Sequence, residues 1–167
     1  MDENWKPIKE FPNYRISDIG RVLNHDTGKL LKLSLTKQGA VKVGLVKDGV
    51  QHTRAVSVLV ADTFVKGRSE IFNTPIHLDG NQENNTTSNL QWRPRWFAWK
   101  YTKQFEVLED YRDRGQIQNI DTGEIYWDAV DLVTRHGLLL SDVWRCIRTG
   151  DPIFPTNQVL TVVVSRK

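Results

Sequence analysis

One imidazole stands at the head of a run of short amide and carboxylate side chains. His77 is followed by Asp79, Asn81, Gln82, Glu83, Asn84 and Asn85 and, after a gap, by Asn89. An imidazole there has two chemistries open to it. It takes a proton from water near neutral pH, or it holds a strand end by hydrogen bonds. Asp79, Asn84 and Asn85 are residue types that organise a loop through side-chain to backbone bonds. Downstream, the run Arg93–Pro94–Arg95–Trp96–Phe97–Ala98–Trp99–Lys100–Tyr101 sets cations among aromatic rings. That composition suits an element that tracks a phosphate backbone. Nearer the C-terminus, Arg145 and Arg148 lie three residues apart on a predicted helix, on the side away from Val143 and Ile147. So placed, they face one groove together, to read base edges or to hold phosphates. His25, His52 and His136 show no ligand spacing, and no role is assigned to them.

These side chains need elements to position them. Tyr14–Arg15–Ile16–Ser17 alternates as a strand does, Asp18–Ile19–Gly20 turns the chain, and Arg21–Val22–Leu23 returns. Asp26–Thr27–Gly28 is a second turn. Lys42 to Val46 is a further strand, closed by the hairpin signal Lys47–Asp48–Gly49. These predict one small antiparallel sheet whose polar face carries Lys32, Lys37, Lys42 and Arg54. The run 55–65 is apolar at helical spacing and predicts a helix covering that sheet. Pro75–Leu78 and Asn89–Trp92 read as strands around the amide-rich loop, and Pro94 suits the start of a helix. Four aromatic residues at 96, 97, 99 and 101 do not fit one helix face, so some of them must be exposed. Gln116–Ile120 and Glu124–Trp127 are strands around Asp121–Thr122–Gly123. Asp128–His136 is a helix stopped by Gly137. Ser141 is the predicted N-cap of a helix over 142–149, in which Trp144 reads as a core anchor. Gln158–Val164 is a final strand. Two short helices across a Gly-containing turn form a helix-turn-helix candidate.

Composition narrows the classes. Of 167 residues, 39% are hydrophobic and 26% charged, which excludes a disordered chain. The single cysteine, Cys146, excludes a disulfide framework and a Cys-based zinc site. No apolar run approaches the roughly 20 residues of a membrane span, and MDENWKPIKEF lacks a signal-peptide core, so a cytoplasmic protein is expected. Net charge is only +3 but unevenly spread: +4 over residues 1–60, −2 over 61–92, +4 over 93–103 and −3 over 104–167. Local clusters, not totals, attract phosphates. The cationic segment holds Arg93, Arg95, Lys100 and Lys103 with no acid among them.

The order strand, amide-rich loop, strand, helix, with Ile76–His77–Leu78–Asp79–Gly80–Asn81–Gln82–Glu83–Asn84–Asn85 and then Asn89–Leu90–Gln91–Trp92, resembles the HNH homing endonucleases of phages and introns. Trp5–Lys6–Pro7–Ile8 with Tyr14–Val22 is similar to the N-terminal module of those enzymes, and Val56–Phe64 to the helix that follows it. Ile120–Tyr126 with the two helices is similar to their C-terminal DNA-binding repeat. The resemblance covers almost the whole chain in the family's order. It implies an α+β fold in four parts: an N-terminal β-rich DNA-contacting module (1–66), a ββα-metal HNH unit with a basic aromatic helix (67–103), a linker (104–116) and a helix-turn-helix module (117–167).

In that family an Asp or Asn just before the motif histidine binds a divalent metal, the histidine is the general base, and a second ligand comes from the helix. Here His77 matches the base. Ile76 precedes it, and Ala98 falls at the helix position counted without gaps from His77; neither side chain has a ligand atom. Ser57 stands where the family usually has a histidine before its Leu-Val-Ala. The expectation from these departures is a protein that is not an enzyme, has no metal and no other cofactor, and keeps His77 as a relic base hydrogen-bonded at a strand end. It is expected to bind double-stranded DNA as a monomer on an asymmetric site, through Lys32, Lys37, Lys42, Arg54, Arg93, Arg95, Lys100, Lys103, Ser141, Arg145 and Arg148. It would act as a repressor or site competitor on phage or mobile-element DNA in a bacterial host. Two other readings stand beside it: an active magnesium-dependent nickase, and a non-DNA interaction module reusing the fold.

Overall fold

Short alternating segments and positive-φ glycines make the N-terminal half a set of hairpins. In the computed structural model, which describes residues 3–111 and 115–163, β1 (Trp5–Ile8), β2 (Phe11–Ser17) and β3 (Val22–Asn24) form one antiparallel sheet in that order. β4 (Ser34–Leu35), β5 (Val41–Lys47) and β6 (Val50–Ala55) form a second. The single sheet expected from the sequence is therefore two. The apolar segment Leu30–Leu33 leaves β3 without strand pairing beyond one bridge at Leu30, and this breaks the ladder. The β5–β6 turn places Asp48 and Gly49 at φ 52° and 76°, the two left-handed residues that a tight hairpin needs. Tyr14 ties the sheets together, its hydroxyl accepting from the Val46 amide at 3.1 Å.

α1 (Val56–Phe64) buries Val56, Leu59, Val60 and Ala61 against both sheets. β7 (Thr74–His77) and β8 (Leu90–Arg93) pair antiparallel, with His77 opposite Leu90. Leu90 and Trp92 enter the same core as Ile16, Val43 and Val56. Trp92 also donates its indole N–H to the Val65 carbonyl at 3.1 Å. This packing corrects the expected boundary at 66/67. The chain divides instead into two compact units, 1–95 and 96–167.

The second unit starts with α2 (Arg95–Gln104), of which all but the first residue belongs to it. Phe97 and Tyr101 are buried, while Trp96 and Trp99 are 55% and 66% exposed, the split that one helix face requires. The expected linker at 104–116 is not free chain. Gln104 is still helical, a 3-10 turn covers Leu108–Tyr111, and Leu108 is buried; residues 112–114 lie outside the described residues. β9 (Ile117–Asn119), β10 (Ile125–Tyr126) and β11 (Leu160–Val162) form a sheet in the order β10-β9-β11. The final strand is thus shorter than expected, and Val164 lies outside the described residues.

α3 (Ala129–His136) is capped by Asp128, whose carboxylate accepts from the Asp131 amide at 2.7 Å, and is ended by Gly137 at φ 60°. α4 (Leu140–Thr149) follows after three residues, Gly137 to Leu139. Ser141 is not its cap, because the helix starts two residues earlier than expected, at Leu140 after the N-cap Leu139. The Leu140 amide is satisfied by the Gln104 side-chain oxygen at 2.9 Å. Among the described residues no helix is long and apolar enough to cross a membrane.

Candidate active site and nucleic-acid interface

The amide-rich loop between β7 and β8 is closed by its own side chains. Asp79 accepts from the Asn81 amide at 2.9 Å and the Asn89 side chain at 2.8 Å with one oxygen, and from the Asn84 side chain at 2.7 Å with the other. Asn89 returns the bond, accepting from the Asp79 amide at 3.0 Å and donating to the Asn84 carbonyl at 2.8 Å. Three donors on one carboxylate leave Asp79 committed to the loop.

This closed loop aims one residue at the imidazole. Asn85 is buried, and its side-chain nitrogen donates to the carbonyls of Gln82 and Glu83 at 3.3 and 3.2 Å. Its oxygen therefore faces Nε2 of His77, 3.0 Å away. A carbonyl oxygen only accepts, so Nε2 carries the proton and Nδ1 keeps the lone pair. The pair is a base oriented by an amide. Sequence reading placed Asn85 in the loop scaffold and missed this bond, since an eight-residue separation across a loop carries no periodic signal.

The loop is held in turn from the N-terminal sheet. Thr87 donates both its amide, at 2.8 Å, and its hydroxyl, at 3.0 Å, to the Asp18 carbonyl in the β2–β3 turn. In that turn Gly20 sits at φ 87°, and a Cβ on it would come within 2.9 Å of the Asn85 Cβ. The turn and the His77 loop are one packed contact.

Burial pushes the His77 pKa below its ordinary 6.5, against the opposing pull of the Asn85 bond and the Asp79 charge. The ring is neutral at pH 7, the state in which a base works. The sign for stability follows from proton counting. Between the two pKa values the unfolded chain binds the extra proton, so native stability is full above about pH 6.5 and falls as pH drops below it. Relative to His77→Gln, the wild type is expected to lose stability as pH falls below about 6.5, read by urea unfolding at stepped pH. Parallel loss in both proteins sinks the assignment.

The metal places were tested on the residues that stand there. Ile76 and Ala98 are both buried and apolar. Among the described residues no group of three or more His, Cys, Asp or Glu could hold a metal ion. This donor set does not fit a divalent cation at those two places, and no chemical step is routed through one.

The cations expected at DNA are differently situated. Lys32 and Lys37 are exposed but lie outside the strands, and Lys42 is half-buried on β5. Arg54 stands 3.7 Å from Glu10 and over the Phe11 ring at 5.2 Å. Arg93 is buried, donating to the Trp92 carbonyl at 2.8 Å and to Gln91 at 2.7 Å, so it braces β8 and presents little charge outward. Arg95 is exposed. On α2, Lys100 lies over Trp96 at 5.5 Å and Lys103 over Trp99 at 5.3 Å, which holds two ammoniums beside two exposed indoles. On α4, Ser141, Arg145 and Arg148 are exposed. Arg145 is shared between Asp142 and Asp151, each at 3.7 Å, long exposed pairs that part at little cost.

Residues 3–46, which contain β1 to β3 and the Gly20 turn, match the NUMOD4 motif. Over 140 residues the chain is 34% identical to the uncharacterized HNH endonuclease L245 of Acanthamoeba polyphaga mimivirus, covering 83% of this chain and 41% of that protein. Over 89 residues it is 39% identical to the DNA endonuclease I-HmuI of Bacillus phage SP01, covering 53% and 51%. In sequence this chain is similar to the HNH homing endonucleases. The solved structure of the HNH homing endonuclease I-HmuI, described as binding and cleaving DNA, shares the fold at a TM-score of 0.55 and 24% identity, over 98% of this chain and 99% of that one. The chain spans about half or less of the length of these curated HNH relatives.

These relatives correct one expectation outright. A chain that is not an enzyme was expected from Ile76 and Ala98, yet the HNH relatives are named endonucleases, and nothing marks this one as catalytically dead. The error lay in letting two counted positions outweigh a base whose orienting partner could not be seen in the sequence.

Proposed function

We propose that this protein binds double-stranded DNA and cleaves a phosphodiester in it, with Nδ1 of His77 taking the proton from the attacking water. The Asn85–His77 bond carries the reading, because it fixes both tautomer and ring direction, while burial of the ring favours the neutral base. As the water oxygen attacks phosphorus, its proton passes to Nδ1 and the P–O bond to the departing strand breaks. Arg95, Lys100, Lys103, Arg145 and Arg148 are cationic side chains for the backbone and groove; Lys32, Lys37, Lys42 and Arg54 extend the footprint on the N-terminal unit. The proposal includes binding by a monomer to an asymmetric site, without a metal for the binding step, in the cytoplasm where such DNA is found.

Occupying a long site also excludes other proteins from it. A repressor or competitor role on phage or mobile-element DNA follows from binding itself, whatever the rate of cutting.

The test joins binding to cleavage. Fragmented host and phage DNA is incubated with the protein and magnesium or manganese, the bound fragments are recovered, and their sites and ends are sequenced. The expected result is an enriched site with new ends at a fixed offset, absent with His77→Ala. An enriched site with intact strands ends the cleavage reading and leaves site occlusion. No enriched site ends the DNA reading altogether.

A further inference from the structure

The second unit carries an open recess of about 450 Å³ that the cleavage reading does not use. It lies wholly within residues 99–144, between the end of α2, the turn after it and the start of α4. Its walls include Trp99, Lys100, Lys103, Val107, Ser141 and Trp144. Trp99 is 66% exposed, and Trp144 is half-buried with its indole N–H turned away from solvent, so what it presents is carbon surface. The charged residues of its lining are Lys100, Lys103 and Glu106, two cations to one carboxylate.

We propose that this recess receives a single unpaired nucleotide of the bound DNA, a step that rests on the DNA-binding reading and deepens it. Three features select that occupant. The volume suits one small ligand of nucleotide size and not a helix or strand of a partner. Indole surface with adjacent lysines matches a π-face joined to a phosphate, the pairing by which single-stranded nucleic acid is held without sequence readout. A base within a duplex is stacked and paired and does not reach a concave pocket, so only one displaced from the helix enters. The recess therefore discriminates by the state of the DNA, favouring a bulge, a frayed end or the loosened strand beside a nick.

The test compares two duplexes of the same sequence, one perfect and one with a single unpaired thymidine, in equilibrium binding with the whole chain at fixed salt. About tenfold tighter binding to the bulged duplex is expected. Trp99→Ala is expected to bring the ratio near one, while Trp99→Phe keeps most of it; circular dichroism confirms that both variants fold. Equal affinity for the two duplexes overturns the proposal, as does a ratio that survives Trp99→Ala. Equal affinity together with capture of a leucine-rich peptide assigns the recess to a protein partner, which also overturns it. No binding to either duplex is a different result, since it removes the DNA reading on which the proposal rests.

Discussion

Asn85→Ala is expected to lower strand cleavage by about 10²- to 10⁴-fold, as much as loss of His77 itself. The change removes no proton-transfer group. It removes the oxygen that holds Nε2–H, and with it the reason for Nδ1 to be the free base atom. The imidazole can then rotate and exchange tautomers, and only a fraction of molecules present the lone pair to the phosphate. Residues acting as one unit are not additive, so the double variant with His77→Ala should be no slower than either single one. The stability cost is expected at about 1–3 kcal/mol, because the carbonyls of Gln82 and Glu83 also lose their donor. Asn85→Asp separates orientation from packing. A carboxylate against Nε2 stabilises the imidazolium and raises the His77 pKa, which shifts the acidic limb of the rate profile to higher pH. An unchanged limb, or a double variant far slower than both singles, contradicts the orienting role.

Gly20→Ala is expected to cost about 2–4 kcal/mol, the largest single-residue loss proposed for the N-terminal unit. Two terms add. A left-handed φ of 87° costs any side chain with a Cβ about 1–2 kcal/mol. The new methyl also meets the Asn85 Cβ at 2.9 Å and a Val56 methyl at 3.2 Å, and both belong to buried residues with no room to retreat. Gly28→Ala is the control. Its φ of 69° carries the same backbone penalty, but nothing lies within 4 Å of the added carbon. In urea unfolding the two midpoints should separate by the packing term alone, with equal slopes. Because the clash falls on Asn85, Gly20→Ala should also reduce cleavage in protein that remains folded. Equal midpoints for the two variants remove the contact from the argument.

Much of the architecture was legible from local signals. The Asp48–Gly49 hairpin, the apolar spacing of α1, the Gly137 stop and the exposure of some of the α2 aromatics each depend on residues within one turn of one another. What was not legible depends on partners distant in sequence. The expected boundary at 66/67 failed because Trp92 bonds back to Val65 across 27 residues. Ser141 was passed over as a cap because Gln104, 36 residues earlier, supplies the acceptor for Leu140. Arg93 looked like one more exposed cation until its guanidinium was found on Trp92 and Gln91. At the site, the base was visible as a residue type; its orienting amide was visible only as a loop former.

Gln104 has a consequence for how this chain can diverge. Its side chain accepts from the Leu140 amide at 2.9 Å and donates to the Leu138 carbonyl at 3.1 Å, standing in for a missing peptide group at the α3–α4 corner. Glutamate keeps the acceptor and loses the donor, lysine does the reverse, and asparagine has the right atoms on a stem one carbon short. Position 104 is therefore closed to drift. Its neighbour Lys103, whose ammonium lies over the exposed Trp99 ring, meets no such demand for a paired donor and acceptor. Variation among descendants of this sequence should accumulate along the outer face of α2 and stop at the amide where the helix ends.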